Sequence, residues 1–253
     1  MEQHIKDELV NAIKSGRIEK KDTGAHPPGH SVPYFYQTSD GRDWCLLRAR
    51  KDSRHLTAEQ IAKGYERYKT LFPFLQKQNL GVKTPRECEV LTVDGEMYGV
   101  MDRFFGHGHS PDRFAKATKF QQDRFVDQMA NFFFKVHSIP TDTLPDCRDF
   151  GKDGYNPYFK YDHSEPYNGG EPVFLHSDVN YSNFLVDDDY NLHAVFDWDA
   201  VCVGPRVAEF CTFVYCKDLP MLPRVLEKYN KLAGTSFKPE QVIAHQDFRK
   251  DGV

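Results

Sequence analysis

Apolar positions near the start of the chain recur at helical spacing. Ile5, Leu9, Ala12 and Ile13 predict a short helix over residues 3–15, ended by Gly16. The pattern then turns strand-like around Tyr34 and Tyr36, breaks at Ser39-Asp40-Gly41, and resumes from Trp44 to Ala49, which predicts a β-hairpin. The Gly/Pro-rich loop ahead of this hairpin is not a G-x-G-x-x-G and reads equally as a connector or a phosphate contact. Thr57-Ala-Glu-Gln60 fits a capping box, followed by a helix with Ile61, Tyr65, Tyr68 and Leu71 on one side. Pro73 bends or restarts that helix. Gly81 to Pro85 break the pattern. Cys88 to Val93 then reads as a strand, Asp94-Gly95 as its turn and Met97 to Met101 as the return strand. An antiparallel sheet interrupted by one helix is an α+β arrangement.

The second half is mainly helical. Ser110-Pro111-Asp112 is a helix start with Ser as N-cap, and Phe125, Met129, Phe133 and Val136 space a long helix through about His137, ended by Pro140. Residues 141–172 carry no strong period and form an irregular excursion; Tyr155, Tyr158, Tyr161 and Tyr167 could line a pocket there or pack the loop onto the domain. Phe184 to Val186 and His193 to Phe196 read as short strands joined by the acidic turn 187–191. Leu219, Leu222, Leu226, Tyr229 and Leu232 space a further helix that Gly234 stops, and a last one begins near Pro239. The boundary between the halves falls near residues 102–108, giving expected domains of 1–104 and 105–253.

Composition narrows the class of protein. With 253 residues, 40% hydrophobic and 28% charged, the chain has the make-up of a soluble globular protein. A net charge of −4 gives no sign of bulk nucleic-acid binding. No apolar run is long enough to span a bilayer, and the charged amphipathic start has no signal-peptide core, so a cytoplasmic location is expected. The six cysteines form no C-x-x-C pair and read as free thiols rather than as disulfides or a zinc site.

The chemistry is concentrated in Phe174 to Phe210. Asp178 follows the strand-like Val173-Phe174-Leu175, with His176 two residues before it and Asn183 five after it. A hairpin over the next apolar runs would return Asp197 to the neighbourhood of Asn183. Three oxygen-bearing side chains would then converge, as phosphoryl transfer requires of a base and a set of hard magnesium ligands.

H-x-D-x-x-x-x-N at His176 to Asn183, an apolar hairpin, and Phe196-Asp197-Trp198-Asp199 together resemble the aminoglycoside phosphotransferase/choline kinase superfamily. That family typically shows H-G-D-x-x-x-x-N and I-D-W-E or I-D-W-D. Gly204-Pro205-Arg206 through Glu209 is similar to its G-P-R-x-x-D segment, with Glu209 in place of Asp. The resemblance implies a two-lobed protein-kinase-like fold, with a small antiparallel-sheet N-terminal lobe and a mainly helical C-terminal lobe. It implies Asp178 as catalytic base, Asn183 and Asp197 as Mg²⁺ ligands, and ATP, or GTP in its place, as phosphoryl donor. More weakly, Trp44 to Ala49 looks like the strand that carries the phosphate-pairing cation, here Arg48 where many members have Lys, with Glu66 as its helix partner. Tyr98 to Gly106 resembles the hinge: Met101 would face the adenine, and the backbones of Asp102 and Phe104 would hydrogen-bond it. His176 is expected to order the loop, and Trp198 to pack; Asp199 is left between a metal or substrate contact and solvent.

The resemblance therefore implies transfer of a phosphoryl group to a hydroxyl of a small molecule, aminoglycoside-, amino sugar- or choline-like. Only Trp198 to Ala208 separate Asp197 from Glu209, which leaves little room for the peptide-docking segment of a protein kinase. A catalytically silent nucleotide- or partner-binding protein on the same fold is the alternative. Metal-assisted hydrolysis without a kinase fold would leave the hinge-like segment unexplained. Residues 141–172 and 211–253 mix both signs of charge and do not name the acceptor.

Overall fold

The computed structural model describes residues 1–20, 31–51, 57–145, 172–181, 183–215 and 220–250. The Gly/Pro-rich loop ahead of the first hairpin and the four tyrosines of the 141–172 excursion lie outside them. The chain divides into two compact units, one made of Met1–Lys77 with Pro85–Phe104 and the other of Gln78–Thr84 with Phe105–Val253. The change from one to the other after Phe104 lies within the span marked by the change of sequence pattern. Segment 78–84 departs from a continuous 1–104 domain, because its backbone pairs within the second unit.

The first unit is a sheet with a helix on each face. Helix α1 is Gln3–Lys14 and strand β1 is Glu19–Lys20; β2 is Ser31–Gln37 and β3 Asp43–Ala49. Helix α2 spans Ala58–Gln76, and β4 (Cys88–Val93) and β5 (Glu96–Asp102) complete an antiparallel sheet in the order β1-β2-β3-β5-β4. Asp94 and Gly95 both have positive φ, 51° and 77°, as a two-residue hairpin turn demands. The Thr57 capping box forms in full, and α2 runs unbroken through Pro73. The proline gives up one rung of the ladder, the bond that an N–H at residue 73 would have made to the Lys69 carbonyl. Alternation along the strands assigns the two faces. Trp44, Leu46, Tyr98 and Val100 pack with Ile5 and Leu9 of α1. Gly99 points the other way, against Tyr65 of α2.

The second unit is mainly helical. Strand β6 is His107–Gly108; α3 is Pro111–Lys116 and α4 is Lys119–His137. The single long helix expected from Ser110 is thus two helices. Ala117 is extended, and Thr118 opens a new helix with its own capping box to Gln121. Strand β7 (Val173–Leu175) pairs with β10 (Cys202–Gly204), and β8 (Phe184–Val186) with β9 (Leu192–Val195), both antiparallel. Lys83 adds a parallel bridge beside Ala194, through Lys83 N–H to His193 C=O (2.9 Å) and Val195 N–H to Lys83 C=O (2.9 Å). Helices α5 (Arg206–Glu209), α6 (Cys211–Tyr215), α7 (Leu222–Ala233) and α8 (Pro239–Lys250) follow. Phe125, Met129, Phe132, Phe133 and Val136 of α4 are buried together with Phe174, Phe184, Trp198, Phe210 and Tyr229. Gln128 of α4 accepts the Leu192 N–H (2.8 Å), which ties the β8–β9 hairpin to that core. Among the described residues no helix is long and apolar enough to cross a membrane.

A Cβ at Gly99 would lie 2.6 Å from Cγ of Tyr65, too close for any packed pair. Gly99→Ala is therefore expected to destabilise the first unit by about 1–3 kcal/mol through overpacking. Thermal unfolding followed by circular dichroism reads this as a lowered Tm, and an unchanged Tm would contradict the packing described.

Candidate active site

The site is built from the backbone outwards. Strand β7 delivers His176 and Ser177 to a point where the chain must turn, and Ser177 takes φ 69° to do so. Two successive main-chain donors are then aimed inwards. The His176 N–H reaches Glu209 Oε2 at 2.8 Å and the Ser177 N–H reaches Glu209 Oε1 at 2.9 Å. Glu209 is fully buried. Burial alone would raise its carboxyl; the hydrogen bonds of His137 and the His176 N–H outweigh this and hold it below its ordinary value.

The His137 ring lies between Glu209 (Nε2 to Oε2, 3.4 Å) and Tyr229 (Nδ1 to the hydroxyl, 2.6 Å), and Arg206 donates to that hydroxyl at 3.4 Å. Burial lowers the pKa of His137, so its neutral ring donates from Nε2 and accepts at Nδ1. His176 is buried and held neutral by the same cause. Its Nε2 donates to the Phe196 carbonyl (3.1 Å) and its Nδ1 accepts the Asp178 N–H (3.3 Å). The side chain spans the loop and orders it. Trp198, fully buried, packs on the His176 ring at 4.4 Å between centroids.

Asp178 stands at the end of this anchored turn, half-buried. Asn180 donates its amide to Oδ1 (2.8 Å), and Asn183 donates to Oδ2 (2.8 Å) and to the Asp178 carbonyl (2.7 Å). Burial, then the nearby Asp197, raise the Asp178 carboxyl to about 7 against these amides. Asn183 is buried, and its carbonyl accepts the Phe196 N–H at 2.9 Å, so the hairpin brings Asn183 beside the residue that precedes Asp197. Asp197 is exposed and left-handed, φ 60° and ψ 61°, a conformation that costs about 1–3 kcal/mol outside glycine. Asp199 hydrogen-bonds Asp197, and burial followed by the charges of Asp197 and Asp178 raises its carboxyl well above the ordinary range.

The structure thus brings Asp178, Asn183 and Asp197 together and adds Asp199. Asp197 raises the carboxyls of both Asp178 and Asp199, an electrostatic setting that a cation relieves. The donors are hard oxygens of the kind magnesium takes. The Asn183 side chain adds an oxygen of the same kind, while among the described residues no three His, Cys, Asp or Glu side chains form a group that could hold a metal ion by themselves.

In the first unit Arg48 and Glu66 are not partners. Arg48 lies on the α1 face of β3, paired with Glu96 (3.0 Å) with its guanidinium 5.5 Å from the Tyr34 ring centre. Glu66 of α2 pairs with Lys69 (2.8 Å), which also reaches Glu89 (3.1 Å). The expected Arg48–Glu66 pair fails because strand alternation turns residue 48 away from α2; Cys45, Leu47 and Ala49 have the opposite parity. Met101 and Asp102 are buried at the end of β5. The Asp102 carboxylate is clasped by the Arg86 main-chain N–H (2.7 Å) and guanidinium (2.6 Å). The Arg103 N–H goes to the Asp43 carbonyl (3.1 Å), so alternation turns the main-chain groups of Asp102 away from β3.

Sequence reasoning missed Asn180 and the anchoring work of Glu209. The second had a signal, an acidic residue on the short helix after Gly204-Pro205; the first had none. A cleft of about 310 Å³ lined by Gln78, Asn79, Phe134, Lys135, Ser138 and Ile139 contains none of the site residues.

Comparison with known proteins agrees with this architecture. Residues 157–242 match the model of the phosphotransferase enzyme family, APH. No curated protein sequence matches the chain. Solved structures do. An ADP-bound aminoglycoside phosphotransferase, APH(2'')-Ib, is 16% identical, with 97% of this chain and 86% of that one covered and a TM-score of 0.60. A GDP complex of a mutant aminoglycoside 2'-phosphotransferase-IIIa is 13% identical, with 97% and 86% covered and a TM-score of 0.67. A macrolide 2'-phosphotransferase from Brachybacterium faecium is 15% identical, with 96% and 88% covered and a TM-score of 0.58. The chain has the α+β, kinase-like fold of these phosphotransferases, the superfamily that its motifs resemble.

Replacing Glu209 tests the anchor. A glutamine cannot accept both loop N–H groups without pointing its own amide at one of them, so Glu209→Gln should cost about 3 kcal/mol at neutral pH. Because the folded pKa of Glu209 is depressed, its contribution is complete above pH 4.5 and is lost as pH falls through the folded value. His137 and His176, with pKa values below 6.5 in the fold, make the wild type lose stability as pH falls below 6.5. Urea titrations across pH should show both, with the Glu209→Gln penalty shrinking below pH 4.5; a penalty independent of pH would contradict the charged anchor.

Proposed function

We propose that this chain is a phosphotransferase that moves the terminal phosphoryl group of ATP, or of GTP in its place, to a hydroxyl of a small molecule. The observation that carries the reading is Asp178: a half-buried carboxylate gripped at both oxygens by Asn180 and Asn183 and set near Asp197. A carboxylate so held can take a proton from a hydroxyl brought within hydrogen-bond reach. Asp178 accepts the proton of the acceptor hydroxyl as the oxygen–phosphorus bond forms and the nucleoside diphosphate leaves. Asn183 and Asp197 are the residues that would hold Mg²⁺, whose charge offsets that of the phosphates. The family match and the nucleotide complexes among the similar structures support this reading.

On the resemblance of the first unit, Met101 faces the adenine, and the Asp102 and Phe104 backbones hydrogen-bond it. Arg48 is the candidate phosphate cation, without Glu66, which pairs with Lys69 instead. The Arg48–Glu96 pairing favours a second reading, a catalytically silent nucleotide- or partner-binding protein on the same fold. The acceptor is a small hydroxylated compound, since the short run from Trp198 to Ala208 gives a protein substrate no platform. Similar structures hold gentamicin or kanamycin, and others are macrolide phosphotransferases, so both chemical classes belong in a screen.

Purified protein with Mg²⁺ and ATP or GTP, offered aminoglycosides, macrolides, amino sugars and choline, should give a nucleotide-dependent phosphorylated product. Asp178→Asn should lower the transfer rate by about 10²–10⁴-fold, the usual contribution of a general base. Asp197→Asn or chelation of Mg²⁺ should abolish transfer. Wild-type protein that binds no nucleotide removes the reading. A cellular function that survives Asp178→Asn undiminished selects the silent alternative.

A further inference from the structure

We propose that Asn180 is a positioning residue for Asp178, fixing the plane in which its carboxylate meets the acceptor hydroxyl; the proposal rests on the phosphotransfer reading above. The terminal torsion of an aspartate is broad and roughly two-fold, so a carboxylate held on one side only can rotate. Here the two oxygens are held from different residues. Asn183 takes Oδ2 and Asn180 takes Oδ1, each at 2.8 Å. Asn183 has other work, since its amide also binds the Asp178 carbonyl and its own carbonyl ties the loop to Phe196. Asn180 completes the grip on Oδ1.

Its side chain acts from a fixed base. The Asn180 N–H donates to the Asp178 carbonyl (2.8 Å), and its carbonyl accepts the Asn183 N–H (2.9 Å). The backbone of Asn180 is therefore locked at both ends of the turn it makes, and only a short side chain separates that backbone from Oδ1. An amide is the suitable group: it donates without adding charge to a site that already holds Asp178, Asp197 and Asp199. Each oxygen keeps a further lone pair for the incoming proton. Preorganisation of this kind acts on the chemical step and leaves nucleotide binding to other residues.

The test separates orientation from binding. In a crystal structure of Asn180→Ala, the Asp178 carboxylate should rotate or occupy two orientations; a single carboxylate orientation identical to wild type overturns the proposal whatever the activity. In parallel, the affinity for Mg²⁺–ATP is measured by titration. Turnover is measured as phosphate release from Mg²⁺–ATP, or as transfer to any acceptor the screen identifies. Turnover should fall on the order of 10-fold in Asn180→Ala, with the Kd for Mg²⁺–ATP within about twofold of wild type. Wild-type turnover in the variant, or a loss of affinity that accounts for the whole fall in rate, overturns the proposal. Failure of the wild type itself to bind Mg²⁺–ATP removes the phosphotransfer reading and with it the base that Asn180 serves, an outcome distinct from either of those.

Discussion

The second unit's site depends on one buried carboxylate. Glu209 accepts two consecutive main-chain N–H groups, from His176 and Ser177, where the chain leaves β7 and must turn. Charge-assisted hydrogen bonds of this kind are the strong ones, and in a dry interior their loss is severe. A carboxylate suits the task because both of its oxygens are acceptors. The anchor is itself oriented: Arg206 donates to Tyr229, Tyr229 to His137, and His137 to Glu209. Helices α4, α5 and α7 thereby meet at the loop through a chain in which each hydrogen bond has one consistent direction.

What that anchor holds in place is electrostatically unfavourable. The charge of Asp197 raises the carboxyls of Asp178 and Asp199, and Asp197 sits in a left-handed conformation. Neither feature helps the fold. Both are tolerated because the surrounding backbone has little freedom: the β8–β9 hairpin is pinned to α4 through Gln128 and to segment 78–84 through Lys83. Stability is given up where the acids converge and is supplied by Glu209, Trp198 and the aromatic core of α4. That distribution is the expected mark of a functional site rather than of random surface acidity.

Much of this was legible in the sequence. Asp94-Gly95 and the Thr57 capping box are local signals whose physics is complete within a few residues, and the structure keeps both. The spacing from Asp178 through Asn183 to Asp197 was legible because a loop and a hairpin of fixed length leave few ways to place three side chains. Arg48 shows where reading stops. A strand's alternation tells which residues share a face, but not which face the next helix covers; α2 covers the one opposite Arg48. The division of α3 from α4 had a signal that was not read: Thr118 and Gln121 carry the same capping-box spacing as Thr57 and Gln60. Segment 78–84 gives no sign of leaving its sequence neighbours, since one parallel bridge needs only backbone.

The same distinction bears on Glu209 in place of the family's usual aspartate. The extra methylene lengthens the side chain by about 1.5 Å, one carbon–carbon bond. A longer side chain can serve the same anchor if the helix that carries it is set back by a similar distance, and α5, only four residues long, is an element whose position is easily adjusted. What the loop requires is a pair of acceptor oxygens at a given point, not a particular residue at a given position. In this chain the glutamate does reach both groups: the His176 and Ser177 N–H each find one of its oxygens. A departure from a motif at a position that works through its carboxylate alone is weak evidence for loss of activity. Arg48 is the contrary case, because there the departure changes which residues the cation can meet.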